Sequence, residues 1–309
     1  MGKPLSIRKI RLVPKETNLA QTVQDFINNC RVRDLSQATI NNYQSVCDIF
    51  LESIGNKSVE QVDDTDINNF VLYLRERGNN NCSIKNRLKV IVSLMKFANV
   101  TVSFPSIKDD SVQKQPYSED EIKKLLKKPS RNSYTEWRNH TICCLLLATG
   151  VRCRTLVNLK ICDLDFTNNT IYLNITKTKK KYYLPMSSEL KQILKHYLSL
   201  YPHTNDDYLF LTLYGEQLAT TTIKQAIREY NLGRGVMKTS IHLFRHTFAI
   251  NYLRNGGNIM YLKEILGHSN IQTTQKYLKV DVEDLKYNFD NFSPLDNIKR
   301  KGIKLNSKK

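Results

Sequence analysis

Long apolar runs are missing from this chain: nothing approaches the roughly 18 residues of a membrane-spanning helix. The start, Met1-Gly2-Lys3-Pro4, leads into Ile7-Arg8-Lys9-Ile10-Arg11 with no apolar core behind it, so no signal peptide is expected. Gly2 has only Ser6 to support it, a weak myristoylation match. Cysteine is sparse in pattern, with seven residues and no Cys-x-x-Cys pair. That argues against a disulfide frame or a zinc site and for free, mostly buried thiols in a reducing cytosol. Gly55-Asn56-Lys57-Ser58 lacks the glycine spacing of a P-loop. No acidic cluster suggests a two-metal nuclease; Asp109-Asp110 and Asp206-Asp207 sit in connectors and read as solvated turns. Repeats and coiled-coil heptads are absent too. No cofactor, metal or small-molecule substrate is therefore expected.

Acidic residues are also scarce relative to basic ones, 29 against 47, for a net charge of +18. A surplus of that size favours a polyanionic partner, nucleic acid before an anionic membrane surface. The first 115 residues hold 16 basic and 12 acidic side chains, and the remaining residues hold 31 and 17. Most of the excess thus belongs to the second part of the chain.

With 309 residues there is room for one large or two ordinary domains. Residues 1–17 form a basic N-terminal arm. Leu19, Val23, Phe26 and Ile27 begin a helical stripe. Ser36 caps a second helix carrying Ile40, Tyr43, Val46, Cys47, Phe50 and Leu51 and stopped by Gly55. Asp64 or Thr65 opens a third, and Ser83 a fourth with Ile84, Leu88, Ile91, Leu94 and Met95. Residues 18–100 therefore read as a compact four-helix bundle, with Lys85, Arg87, Lys89 and Lys96 on its last helix. Residues 101–117 show no period, hold two prolines and read as a linker. Ser118-Glu119-Asp120-Glu121 is a capping box that starts a second domain, 118–290. A helix apolar almost all round runs from about Glu136 to Thr149 and should be central. Thr149-Gly150-Val151-Arg152 breaks it.

Alternation in 169–176 and 181–186 predicts a hairpin with a lysine-rich tip, Lys177 to Lys180. Helices are expected again at 187–200, 219–230, 240–255, 258–266 and about 270–288. Residues 291–309 form a basic tail. The fold class is mainly α: an N-terminal helical bundle, then a mixed α/β, mostly helical domain with a small sheet.

Within the second domain, His242 and Arg245 stand three positions apart and share a helix face. His268 follows the helix-stopping Gly267, and Tyr277 comes nine positions later. This set lacks the carboxylates and thiolates of a good metal site. It suits an anionic oxygen substrate and an oxygen nucleophile. Phosphoryl transfer on DNA would also need a second cation for the non-bridging oxygens and an acid for the leaving group. Arg152, at the glycine break, and Lys177, at the hairpin tip, are candidates. Singly each residue has a plainer reading: Arg152 a helix-end charge, Lys177 a solvated loop lysine, Tyr277 a core aromatic. Their ordered conjunction carries the weight.

These residues resemble the tyrosine recombinases of the phage-integrase family. The matching stretches are Ala148-Thr149-Gly150-Val151-Arg152 with Leu156 and Leu159, Lys177 eight positions before Pro185, His242-Leu243-Phe244-Arg245-His246, Leu266-Gly267-His268, and Tyr277. The segment Ser36-Gln37-Ala38-Thr39-Ile40 ahead of Tyr43 is similar to the family's core-binding domain. The resemblance implies that Arg152, His242, Arg245 and His268 bind the scissile phosphate. It casts Lys177 as general acid, with Lys179, Lys180 and Lys181 as near competitors, and Tyr277 as nucleophile, assisted by His242. The product would be a 3′-phosphotyrosyl link and a free 5′ hydroxyl, without ATP or metal. It further implies a homotetramer on two double-stranded DNA recombination sites, in the cytoplasm, with no membrane partner.

One position departs from the family pattern. An acidic residue usually stands three places after the first arginine, and here it is Thr155. Weaker support for Arg152, short of inactivity, is the expectation. Beyond Tyr277, Leu285, Tyr287, Phe289 and Phe292 could pack in cis or dock on a neighbouring protomer. A type IB topoisomerase-like strand passer and a silent DNA-binding regulator remain the alternatives. Chromosome or plasmid resolution, phage integration and transposition stay open as the biological role.

Overall fold

The computed structural model describes residues 18–108, 115–130, 133–174 and 181–277. The basic arm 1–17, the hairpin tip with Lys177, and everything past Tyr277 lie outside the described residues. Two compact units emerge, one within residues 1–113 and the other within 114–309.

The first unit holds four helices: α1 (Leu19–Val32), α2 (Gln37–Ile54), α3 (Asp64–Glu76) and α4 (Asn81–Ala98). Their starts follow from side-chain oxygens that accept otherwise orphaned N–H groups. Asn18 caps α1, Ser36 caps α2, and Asp63 forms a reciprocal box with Asp66 on α3. For α4 the cap is Asn80, three residues before the expected Ser83. Asn80, Asn81 and Ser83 can all cap, and the earliest adds a turn to the helix. Val23, Phe26, Phe50, Phe70, Ile91 and Leu94 fill the interior. The Phe50 and Phe70 rings meet edge to face at 5.1 Å.

Both ends of the expected linker, 101–117, are packed. Val102, Phe104 and Ile107 pack against the first core, and the Ser103 amide donates to Asp64 Oδ1 at 2.7 Å. At the other end Tyr117 is buried in the second unit, its amide donating to Thr247 Oγ1 at 3.0 Å. Extended segments can pack without displaying a period, so both ends escape a periodicity search.

In the second unit α5 (Glu119–Leu126) opens with the Ser118–Glu121 capping box. Central to its core is α6 (Tyr134–Thr149), which packs against α5, α8 (Ser188–Leu198), α9 (Thr220–Gly233) and α10 (Ile241–Arg254). Ile142, Cys143, Leu145 and Leu146 of α6 are all buried, as its all-round apolar pattern requires. A short helix α7 (Cys153–Leu156) follows the glycine break. The sheet has three strands, β1 (Leu164–Asp165), β2 (Thr170–Asn174) and β3 (Lys181–Pro185), antiparallel in that order. β1 is two residues long, too short to leave an alternation. Pairing sets Leu173 opposite Tyr182 and Ile171 opposite Leu184 on the face that meets the core. Tyr172 and Tyr183 meet at 5.1 Å on the opposite face. Two small helices finish the described chain, α11 (Ile259–Leu266) and α12 (Ile271–Gln275).

Candidate active site

Glycines end both helices that frame the site. Gly150 closes α6 in the left-handed region, φ +61°. A Cβ there would lie 2.5 Å from Phe248 Cδ1 and 2.9 Å from Leu266 Cδ2, so only glycine lets α10 and α11 come this close. Gly267 closes α11 the same way, φ +59°, with Arg152 Nη1 3.4 Å and Tyr182 Cζ 3.7 Å from where its Cβ would be. Both turns leave carbonyls that the helices cannot satisfy themselves.

Arg245, on α10 and 8% exposed, takes up those carbonyls. Nη1 donates to Gly150 O and Nη2 to Leu266 O, each at 2.7 Å. Nη2 also lies 2.7 Å from His268 Nε2. A guanidinium has no lone pair to offer, so His268 Nε2 must accept. The proton of this neutral ring then sits on Nδ1, which donates to Thr274 Oγ1 at 2.8 Å. Thr274 is fully buried, and its carbonyl accepts the Tyr277 amide at 3.0 Å. An unbroken series of bonds therefore joins Arg245 to the backbone of Tyr277. Three of the five N–H groups of Arg245 are committed to these acceptors.

Arg152 stands at the N-cap of α7 and is exposed. Its Nη2 donates to Gly267 O at 3.0 Å, bringing the two arginines to neighbouring carbonyls of one turn. The Tyr277 ring stacks nearly parallel to His268, centroids 6.4 Å apart at 12°, and lies 5.4 Å from the His246 ring. Its phenol is near enough to Arg245 to favour the charged guanidinium.

The charges follow from these positions. Burial first, then repulsion from Arg152, lowers the Arg245 pKa to about 10, so it is cationic at neutral pH. Burial first, then the two guanidiniums, lowers His268 to about 4 and keeps it neutral. Among the described residues neither guanidinium has a carboxylate hydrogen-bond partner, and no metal-ligating group of three His, Cys, Asp or Glu forms. Two cations without a carboxylate partner, beside a phenol, make a pocket suited to an anion.

Arg152, Arg245, His268 and Tyr277 are thus brought together across 125 positions of sequence. His242 lies in the first turn of α10, exposed, one turn ahead of Arg245. Lys177 lies outside the described residues. Sequence reasoning missed Thr274 and Tyr182. Thr274 stands one helical turn before Tyr277. Tyr182 shares the inward strand face with the apolar Leu184, and that alternation was available. His246, the second histidine of the His242–His246 stretch, has no role in the sequence reading, and its ring flanks Tyr277.

The catalytic-domain model of the phage integrase family matches residues 117–284, and the family's N-terminal SAM-like domain matches 23–98. Tyrosine recombinase XerD of Oceanobacillus iheyensis is 27% identical over 296 residues, covering 89% of this chain and 99% of that protein. Tyrosine recombinase XerC of Staphylococcus aureus is 26% identical over 288 residues, covering 88% and 96%. The solved structure of the Tn1549 transposon integrase in complex with a circular-intermediate DNA superposes with a TM-score of 0.73 at 20% identity, covering 87% of this chain and 99% of that one. Because the catalytic-domain match alone takes in more than half of the sequence and ends beyond Tyr277, the chain is a member of the phage integrase family of tyrosine recombinases.

Proposed function

We propose that this enzyme cuts and rejoins DNA at specific sites through Tyr277. The observation that carries this is the linked set at the pocket. Tyr277 stacks on His268, His268 accepts from Arg245 at 2.7 Å, and Arg152 holds the adjoining turn.

In this reading the scissile phosphate sits against Arg152 and Arg245, whose fixed charges offset the growing charge on its non-bridging oxygens. The Tyr277 oxygen attacks phosphorus and passes its proton to His242. The bond from phosphorus to the 5′ oxygen breaks, and Lys177 supplies that oxygen's proton. The phosphotyrosyl bond stores the energy of the phosphodiester, so attack by a 5′ hydroxyl of a partner strand restores DNA without ATP. His268 acts through Arg245, as its Nε2 lone pair is turned to the guanidinium. Double-stranded recombination sites are the partners, consistent with a net charge of +18 and with the DNA-bound relative. A homotetramer on two sites, acting in the cytoplasm, completes the proposal.

A nicked suicide duplex tests it. The wild-type chain should form a covalent adduct that survives denaturant, and Tyr277→Phe should form none. Joining of strands between two duplexes would separate a recombinase from a topoisomerase-like enzyme. Absence of any adduct would leave a silent DNA-binding regulator.

A further inference from the structure

Tyr182 carries a polar atom that the fold does not use. Its hydroxyl is buried and has no hydrogen-bond partner among the described residues. Buried hydroxyls are nearly always paired, and leaving one unpaired costs stability. The Gly267 amide is close enough to favour the phenolate, but that N–H is committed to the Glu264 carbonyl at 2.9 Å.

The position of this hydroxyl indicates what it lacks. It lies 3.8 Å from where a Cβ on Gly267 would be, and Arg152 Nη1 lies 3.4 Å from the same point. Arg245 and Arg152 both act electrostatically on the phenol. Neither guanidinium can accept a hydrogen bond, so neither can receive the phenol's proton, and no bond from it to any other group forms among the described residues. An anion bound between the two arginines would supply the missing acceptor. Burial outweighs the pull of the arginines and raises the Tyr182 pKa to about 12, so the proton is present at neutral pH.

We propose that Tyr182 is a further ligand of the scissile phosphate. Its hydroxyl donates to a non-bridging oxygen once Arg152 leaves the Gly267 carbonyl for that phosphate. This rests on the transesterification reading above and adds a neutral donor to the two cations. It also ties strand β3, which descends from the hairpin tip, to the occupied pocket.

The test compares wild type with Tyr182→Phe, as full chains. Nicked random-sequence duplexes are first captured covalently on wild type, and one recovered duplex serves as the probe. Phenylalanine removes only the unpaired oxygen, so the melting temperature should stay level or rise. The rate of adduct formation on the probe should fall about tenfold, the effect of one lost hydrogen bond to a charged group. Equal adduct rates would overturn the proposal. A lower melting temperature would also overturn it, by showing that the hydroxyl serves the fold. If wild type captures no duplex at all, the underlying reading fails instead, and the two failures stay distinct.

Discussion

The two units bury polar groups very differently. Among the described residues the first unit buries two, Thr22 and Asp66, and both serve helix α1 or the start of α3. The second unit buries eleven, including Arg138, His140, Asn231, Arg245, His268 and Thr274. An apolar interior fixes few bond directions, so the first unit is held mainly by packing. A polar interior is expensive unless every group is paired, and that pairing fixes directions. In the second unit some of it holds the fold: Arg138 donates to Leu211 O at 2.8 Å, and Asn231 to Lys238 O at 2.8 Å. The series Arg245–His268–Thr274 is different, because it ends at an exposed arginine's turn and at a half-buried tyrosine.

That contrast can be broken at several points. The sharpest is Tyr277→Phe, which should abolish the covalent adduct while leaving noncovalent DNA binding and the melting temperature near wild type. In the first unit, Phe50→Ala should cost about 3–5 kcal/mol of that unit's stability by opening a cavity against Phe70. Denaturant melts should show the loss in that unit, while the catalytic unit's transition stays in place. Arg245→Gln should slow adduct formation by about 10²–10³-fold, the usual cost of a lost transition-state donor. Single-turnover kinetics on a saturating duplex would separate that from weaker binding.

Thr274→Val should be milder. It removes the acceptor for His268 Nδ1–H and so releases the tautomer that lets Nε2 support Arg245. About a tenfold slower reaction is expected, with Thr274→Ser restoring most of the rate because it keeps the hydroxyl. If serine and valine behave alike, the hydroxyl has no part in positioning. The smallest effect concerns pH. His268 titrates at about 4 in the folded chain, against roughly 6.5 when unfolded. Between those values the unfolded chain binds more protons, so stability falls as pH drops through that window and is level above it. Melting curves from pH 8 to 4 should show this slope, reduced in His268→Gln.

Much of the fold was legible because local chemistry dictates it. Ser36, Ser118, Gly55, Gly150 and Gly267 mark helix ends through caps and left-handed turns that few other residues supply. The α6 pattern announced a buried helix. The two-residue β1 left no period, and the packed segments at 101–108 and Tyr117 looked like linker because extended chain has no helical stripe. For the site, the ordered residues were visible, but the hydrogen bonds among them were not. His268 looked like one more phosphate ligand, whereas its ring is turned to Arg245 and Thr274. Strand alternation separates Tyr182 from Tyr183, which is 51% exposed on the opposite face, but it does not show that the Tyr182 hydroxyl lacks a partner.

By itself the sequence determined the helices, some of their caps such as Ser36 and Ser118, the paired strands β2 and β3, and the kinds of side chain available for chemistry, since each depends on neighbours within a few residues. Only the tertiary structure decided that Arg152, Tyr182, Arg245 and His268 meet at the Gly267 turn. It also decided which histidine nitrogen carries the proton and which hydroxyl is left without an acceptor. Those outcomes depend on groups as far apart as Arg152 and Gly267, and only packing α6, α10 and α11 through two glycine turns brings such groups within hydrogen-bond range.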